Sequence, residues 1–236
     1  MIRLIATIFF CFSLHSVVAA EKASLTIAYY PYLNPDSIQT QAEQLKTLLE
    51  RDLAVDIKIY VGGSYEDFLR AVCHQQFDIV FSPSHFAAFF IDKCQYQPLV
   101  RSTAKVQPIL VSNAKNPIKN VDELVAKKLT LVNELSLVSM AGLSLIKQQL
   151  GADFAKVSLV ERLWNDRTLF SVISGEVDAA VIPLAVVNYM PLSVREKLYT
   201  FPLGPTLNPD LVLFSMAAVN SDNYVVQNLK ENLVIY

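Results

Sequence analysis

The stretch FDIVFSPSHFAAFF (77–90) places Ser82, Ser84 and His85, with Pro83 between them, where an apolar strand hands over to an apolar helix. Two hydroxyls and an imidazole at that junction can hold a small polar ligand, because the turn after a strand of an open α/β sheet faces the ligand crevice. Three other turns carry similar groups. GGSYED (62–67) offers Tyr65, NELSLVS (133–139) offers Ser136 and Ser139, and WNDR (164–167) offers Asn165 beside Asp166. The aromatic run IAYYPY (27–32), with Tyr29, Tyr30 and Tyr32, suits a cleft wall as well as a core. Hydroxyls and amides at helix starts bind oxyanions together with the first-turn N–H groups.

Catalytic chemistry finds less to work with. There is no Gly-x-Ser-x-Gly elbow, and His74 and His85 are remote in sequence from any candidate nucleophile. GGSYED lacks the length and the lysine of a phosphate-binding loop. The chain therefore reads as a binding protein and not an enzyme. No Cys-x-x-Cys accompanies the histidines, so neither a metal nor a cofactor is expected. Lys and Arg are nowhere clustered, which argues against a nucleic-acid partner.

These groups need elements to position them. SLTIAYY (24–30) reads as a buried strand, and 34–53 as a helix with apolar residues at 38, 42, 45, 48, 49 and 53 behind Asn34 and Pro35. VDIKIYV (55–61) alternates as a strand does. Ser64 begins a capping box for the next helix. Strand DIVFS and helix SHFAAFFIDKC follow, a βαβαβα order that implies a parallel sheet. Extended segments 97–103 and 106–113 then suggest a crossing into a second βα series: strand 129–133, helix 137–150, strand 157–163, helix 166–176 and strand 178–184. LVLFSMAAV (211–219) reads as a strand returning to the first series, with Ser221 capping a last helix. The expected architecture is α/β, a two-lobed clamp with a mostly parallel sheet in each lobe and two hinge crossings. Lobe 1 comprises 21–104 plus 205–236, and lobe 2 comprises 105–204.

The two series echo each other. SYEDFLRAVCHQQFDIVFSP (64–83) aligns without a gap on WNDRTLFSVISGEVDAAVIP (164–183), pairing Leu69 with Leu169, Val72 with Val172, Asp78 with Asp178 and Pro83 with Pro183. Chance similarity between two βα units is the alternative. If the echo is structural, Tyr65 and Asn165 occupy matching loops in the two lobes.

Residues 1–20 have a basic start at Arg3, an apolar core, and Val18 and Ala20 at the −3 and −1 positions of a cleavage site. The apolar core is too short for a membrane anchor, so a cleaved signal peptide and a periplasmic destination are expected. Cleavage leaves 236 − 20 = 216 residues with 19 basic and 22 acidic side chains, net charge −3, and no other apolar run long enough to span a bilayer. Cys73 and Cys94 remain, an even pair that permits a disulfide or two buried thiols. Each lies late in one of two successive helices, so a bridge is predicted.

The chain resembles the periplasmic binding proteins of phosphonate, phosphite and phosphate type that serve ABC transporters. The residues carrying the resemblance are IAYYPY (27–32), GGSYEDFLRAV (62–72), FDIVFSP (77–83), NELSLVS (133–139) and NDRTLFSVISGEVDAAV (165–181). The resemblance implies a type II clamp that captures a small oxyanion between its lobes. It places Tyr65 at the family's ligand-gripping tyrosine, Ser82 at the residue ending the third strand, and Ser136 and Ser139 in the second-lobe hydroxyl turn. Asn165 stands where the family carries histidine, and SLVS is a thinned form of a denser Ser-Thr-Ser-Gly turn. The implied partners are a small anion or zwitterion and either an ABC permease or, on the alternative reading, a membrane receptor kinase or cyclase. The clamp is expected to be a monomer. Tyr30, Ser84 and His85 complete the expected ligand set, His85 being alternatively an ordinary first-turn helix residue. Ser136 can alternatively cap its helix, and an N-cap role is expected for Asp166.

Overall fold

Asp78 and Asp178 organise the two halves of the molecule in the same way. Asp78 accepts the Thr26 backbone N–H through Oδ2 at 2.8 Å, and Asp178 accepts that of Lys128 at 2.8 Å. Each aspartate's own N–H donates to the same partner residue's carbonyl, both at 3.0 Å. Each thereby pins the start of one central strand to its parallel neighbour. In the computed structural model, which describes residues 24–215, those strands lie in two separate five-stranded sheets.

The first sheet has strands β1 (Ser24–Tyr29), β2 (Asp56–Val61), β3 (Ile79–Ser82), β4 (Tyr96–Arg101) and, from late in the chain, β10 (Leu211–Ser215), in the order β2-β1-β3-β10-β4. The second has β5 (Pro108–Asn113), β6 (Lys128–Leu131), β7 (Ser158–Glu161), β8 (Ala179–Pro183) and β9 (Leu198–Pro202), in the order β7-β6-β8-β5-β9. Strand β1 pairs parallel with β2 and β3, and β6 with β7 and β8, while β10 and β5 each run antiparallel to both neighbours. Each sheet is thus mostly parallel with one reversed strand. The reversed strands are those entered from the other sheet, because a chain crossing over arrives from the side opposite to a βα return. The crossings at 102–107 and 203–210 touch through an antiparallel bridge between Val106 and Leu207.

Helices α1 (Pro35–Leu53), α2 (Tyr65–Cys73) and α3 (Ser84–Lys93) flank the first sheet; α4 (Leu137–Leu150), α5 (Asn165–Ile173), α6 (Leu184–Tyr189) and α7 (Leu192–Arg195) belong to the second. Local chemistry sets their starts. The Asn34 side chain accepts the Ser37 N–H at 3.0 Å ahead of Pro35, and the Ser64 hydroxyl accepts the Asp67 N–H at 3.0 Å. Ile38, Ala42, Leu49 and Leu53 form the buried stripe of α1. The echo holds at its turns as well, since Gln75 and Gly175, one hundred positions apart, both take positive φ (55° and 76°) after α2 and α5.

Strand β9 was not anticipated from the sequence. LYTFP is a half-exposed edge strand, beside β5 alone, and ends in a proline that edges tolerate. Cys73 and Cys94 form a disulfide with Cα atoms 4.8 Å apart, tying the end of α2 to the end of α3. Among the described residues no helix is long and apolar enough to cross a membrane, and no three His, Cys, Asp or Glu side chains gather as a metal site. The expected signal peptide and the helix capped by Ser221 lie outside the described residues.

Candidate functional site

A cavity of about 420 Å³ lies where the two sheets' helix starts meet the crossings, within the size range of small-molecule sites. Four of the anticipated residues line it: Tyr30, Tyr65, Ser136 and Asn165. Tyr65 is the first residue of α2 and is 3% exposed. Ser136 is the N-cap of α4, yet its side chain makes no capping bond. It faces the Tyr65 phenol across the cavity, from the second sheet's side to the first, and interacts with it. Burial pushes the Tyr65 phenol well above its usual pKa, with the Ser136 interaction opposing that shift. Leu137 and Val138 bring the first turn of α4 to the same wall, and first-turn N–H groups have no intrahelical acceptor.

Asn165 opens α5 and is buried. Its side-chain Nδ2 donates to the Tyr32 carbonyl at 2.8 Å and its backbone N–H to the same oxygen at 3.1 Å. One amide N–H of Nδ2 remains unspent. Asp166 does not cap α5; the N-cap is Trp164, and Asp166 accepts a short hydrogen bond from the Asn34 amide. An extended residue ahead of the helix fills the cap position, which leaves the Asp166 carboxylate free to reach the first sheet's side.

The opposite wall is aromatic. Tyr29 stacks on Phe81 at 4.4 Å between centroids, and Tyr30 leans on Tyr32 at 4.9 Å. Two of these phenols are anchored: Tyr30 donates to Asp210 Oδ2 at 2.7 Å and Tyr32 to Gln41 Oε1 at 2.6 Å. Burial raises the Asp210 carboxyl pKa to about 6, against the lowering effect of the Tyr30 bond. Burial raises the Tyr32 phenol to about 12. Lys105 and Gln107 reach the cavity from the first crossing.

Ser82, Ser84, His85 and Ser139 do not line this cavity. Ser82 is fully buried and donates to the Pro83 carbonyl at 3.1 Å, and Ser139 donates to Val132 O at 3.2 Å. Ser84 is the first residue of α3. His85 bonds through Nε2 to the Leu135 carbonyl at 2.8 Å, joining α3 to the loop before α4. A carbonyl only accepts, so Nε2 carries the proton; Nδ1 is buried without a partner. Burial lowers the His85 pKa against that bond. Sequence reasoning missed Asp210, Lys105, Gln41 and Gln107. Asp210 carried one readable signal: like Asp78 and Asp178, it directly precedes a buried strand.

Two α/β halves, joined by paired crossings and enclosing a polar-and-aromatic cavity, define a solute-binding clamp. The family model described as ABC transporter, phosphonate, periplasmic substrate-binding protein matches residues 27–213. The chain belongs to this family. Among solved structures it is similar to PhnD1 from Prochlorococcus marinus in complex with methylphosphonate, with TM-score 0.75 and 16% identity over 88% of this chain and 82% of that one. It is also similar to a binding protein component of an ABC phosphonate transporter from Pseudomonas aeruginosa, with TM-score 0.72 and 11% identity over 90% and 73% of the two chains. The alkanesulfonate-binding protein SsuA from Xanthomonas axonopodis bound to MOPS is a third, with TM-score 0.57 and 17% identity over 89% and 72%. No curated relative matches the chain in sequence. The chain is thus a substrate-binding component of ABC transport, and nothing in these likenesses supports the sensory alternative.

Proposed function

We propose that this protein captures an organophosphonate between its lobes and delivers it to an ABC permease, with no catalytic step of its own. The phosphonate sits between Tyr65, Ser136, the first turn of α4 and Asn165. The organic substituent extends along Tyr29, Tyr30 and Tyr32 toward Asp210. The observation that carries the reading is the pairing of Tyr65 and Ser136 on one cavity, a phenol and a hydroxyl brought together from opposite sides. Both head helices at that cavity, where hydroxyls and free N–H groups together suit an oxyanion.

Asp210 refines the ligand class. A buried carboxylate repels a plain anion, but it stabilises a substituent carrying an ammonium group, and a tyrosine-lined wall adds to that preference. The reading is therefore a zwitterion such as 2-aminoethylphosphonate, ahead of methylphosphonate, phosphate or sulfate. His85 and Ser139 serve this site indirectly, His85 by tying α3 to the loop before α4 and Ser139 by tying α4 to the Val132 carbonyl. The lobes are 21–104 with 205–236, and 105–204. The mature protein is a periplasmic monomer released by cleavage after Ala20.

Isothermal titration of the purified mature protein with these four ligands tests the reading. Binding only to the closed form raises apparent stability by about 2.7 kcal/mol at a ligand concentration 100 times Kd, so a thermal-shift series gives a second readout. Tightest binding by 2-aminoethylphosphonate is expected. No response to any phosphonate would overturn the reading.

A further inference from the structure

A second cavity, also of about 420 Å³, has Tyr65 in its lining as the first does. Its lining joins Ser64 and Tyr65 at the start of α2 to Asn133, to Glu161–Trp164 after β7, and to Arg167 in the first turn of α5. It is thus built from the echoed pair of loops, 64–67 and 164–167, facing each other.

The hydrogen-bonding capacity left unspent here is almost all donor. Arg162 is committed, pairing with Glu176 and donating to the Glu161 carbonyl at 3.3 Å. Glu161 accepts the Glu134 N–H at 3.2 Å through one oxygen. Asn133 is spent on both ends, donating to Glu66 at 3.0 Å and accepting from the Leu135 N–H at 2.8 Å. The Arg167 guanidinium has no ion pair or hydrogen bond among the described residues, and it is exposed to the cavity's solvent. Five N–H donors in a planar fork stand against a single free carboxylate oxygen of Glu161. Such a fork matches a carboxylate or phosphate group in two-point contact.

Resting on the phosphonate reading of the first cavity, we infer that the second cavity takes an anionic arm of the same ligand. The cleft sorts substituents by charge. An arm ending in ammonium runs from the phosphonate to Asp210, whereas an arm ending in carboxylate is repelled there and passes Tyr65 to Arg167. Tyr65 lines both cavities, and the arm must pass its ring to reach Arg167. The protein then accepts phosphonocarboxylates as well as aminophosphonates, a wider substrate class than the first cavity alone defines.

Titration of the mature protein and its Arg167→Met variant with methylphosphonate and 3-phosphonopropionate tests this. The two probes differ by a carboxylate-bearing arm. Wild-type protein is expected to bind 3-phosphonopropionate at least tenfold more tightly than methylphosphonate. Arg167→Met is expected to erase that advantage while leaving methylphosphonate affinity within twofold. Equal affinities in the wild type, or an advantage that survives Arg167→Met, would overturn the inference. If neither phosphonate binds, the first-cavity reading fails by itself, and sodium glutarate then probes the second cavity alone. Trp164, the chain's single tryptophan, lines that cavity and reports through its fluorescence. A glutarate-dependent emission change lost in Arg167→Met upholds the second site, and no change overturns it.

Discussion

At the scale of the residue, the site is decided by where each polar group spends its hydrogen bonds. Ser82 and Ser139 are hydroxyls of the same type as Ser136, but theirs are consumed by the Pro83 and Val132 carbonyls. Ser136 is left to Tyr65. Asp210 is the residue on which ligand selection turns. Asp210→Asn should weaken 2-aminoethylphosphonate binding by roughly tenfold to a hundredfold, the value of a hydrogen bond to a charged group, about 1.5–3 kcal/mol. The same change should leave methylphosphonate binding equal or tighter, because a repulsive carboxylate is gone. Paired titrations of the variant with both ligands check this, and parallel losses would remove Asp210 from the ligand's path. Residue identity alone did not separate the used hydroxyls from the spent ones. All are serines at helix starts or strand ends; the carbonyls that consume Ser82 and Ser139 lie one and seven positions away, whereas the partner of His85 lies fifty positions on and is set by packing between segments.

At the scale of the element, two devices hold the helices that carry the site. The first is His85, whose Nε2–H latches α3 to the loop before α4. The imidazole is neutral in this contact, and burial holds its pKa below the ordinary 6.5. Protonation leaves the Nε2–H donor in place but puts a charge and an unpartnered Nδ1–H into a buried setting. The stability contributed by the neutral ring is thus fully present above about pH 6.5 and declines as pH falls through the lowered pKa. Ligand affinity of the wild type should therefore decline on acidification more steeply than that of His85→Gln, which keeps a donor but does not titrate. Comparing the two proteins at pH 7.5 and pH 5.5 cancels the ligand's own titration. Identical pH profiles would show that the latch does not govern closure. The second device is Gly142 in the middle of α4, where a Cβ would meet Val181 Cγ1 of β8 at 2.4 Å. Gly142→Ala should destabilise the protein by about 1–3 kcal/mol through overpacking, and by lifting α4 it should also weaken ligand binding at Ser136. Chemical denaturation and titration of the variant measure both effects.

At the scale of the molecule, the architecture was largely legible in the sequence. The alternation of apolar periods marked the strands and helices, Asn34 and Ser64 marked helix starts, and the pairing of Asp78 with Asp178 marked equivalent strand starts in the two sheets. What escaped was whatever depends on neighbours distant in the chain. Strand β9 lacks a clean alternation because it lies at an edge, half exposed. Asp210 acquires its role only when β10 returns beside β3 and brings the carboxylate to Tyr30, 180 positions away. Closure of the two halves is likewise a collective property, made of Asn165 on the Tyr32 carbonyl, Asp166 on Asn34, His85 on Leu135, Asn133 on Glu66 and Tyr65 on Ser136. The account makes ligand capture depend on the last of these. A double-mutant cycle by calorimetric titration with 2-aminoethylphosphonate tests it directly. Tyr65→Phe and Ser136→Ala should each weaken binding by roughly tenfold to a hundredfold, and the double variant should lose less than the product of the two, because both groups serve one oxyanion. Wild-type affinity in both single variants would contradict the account.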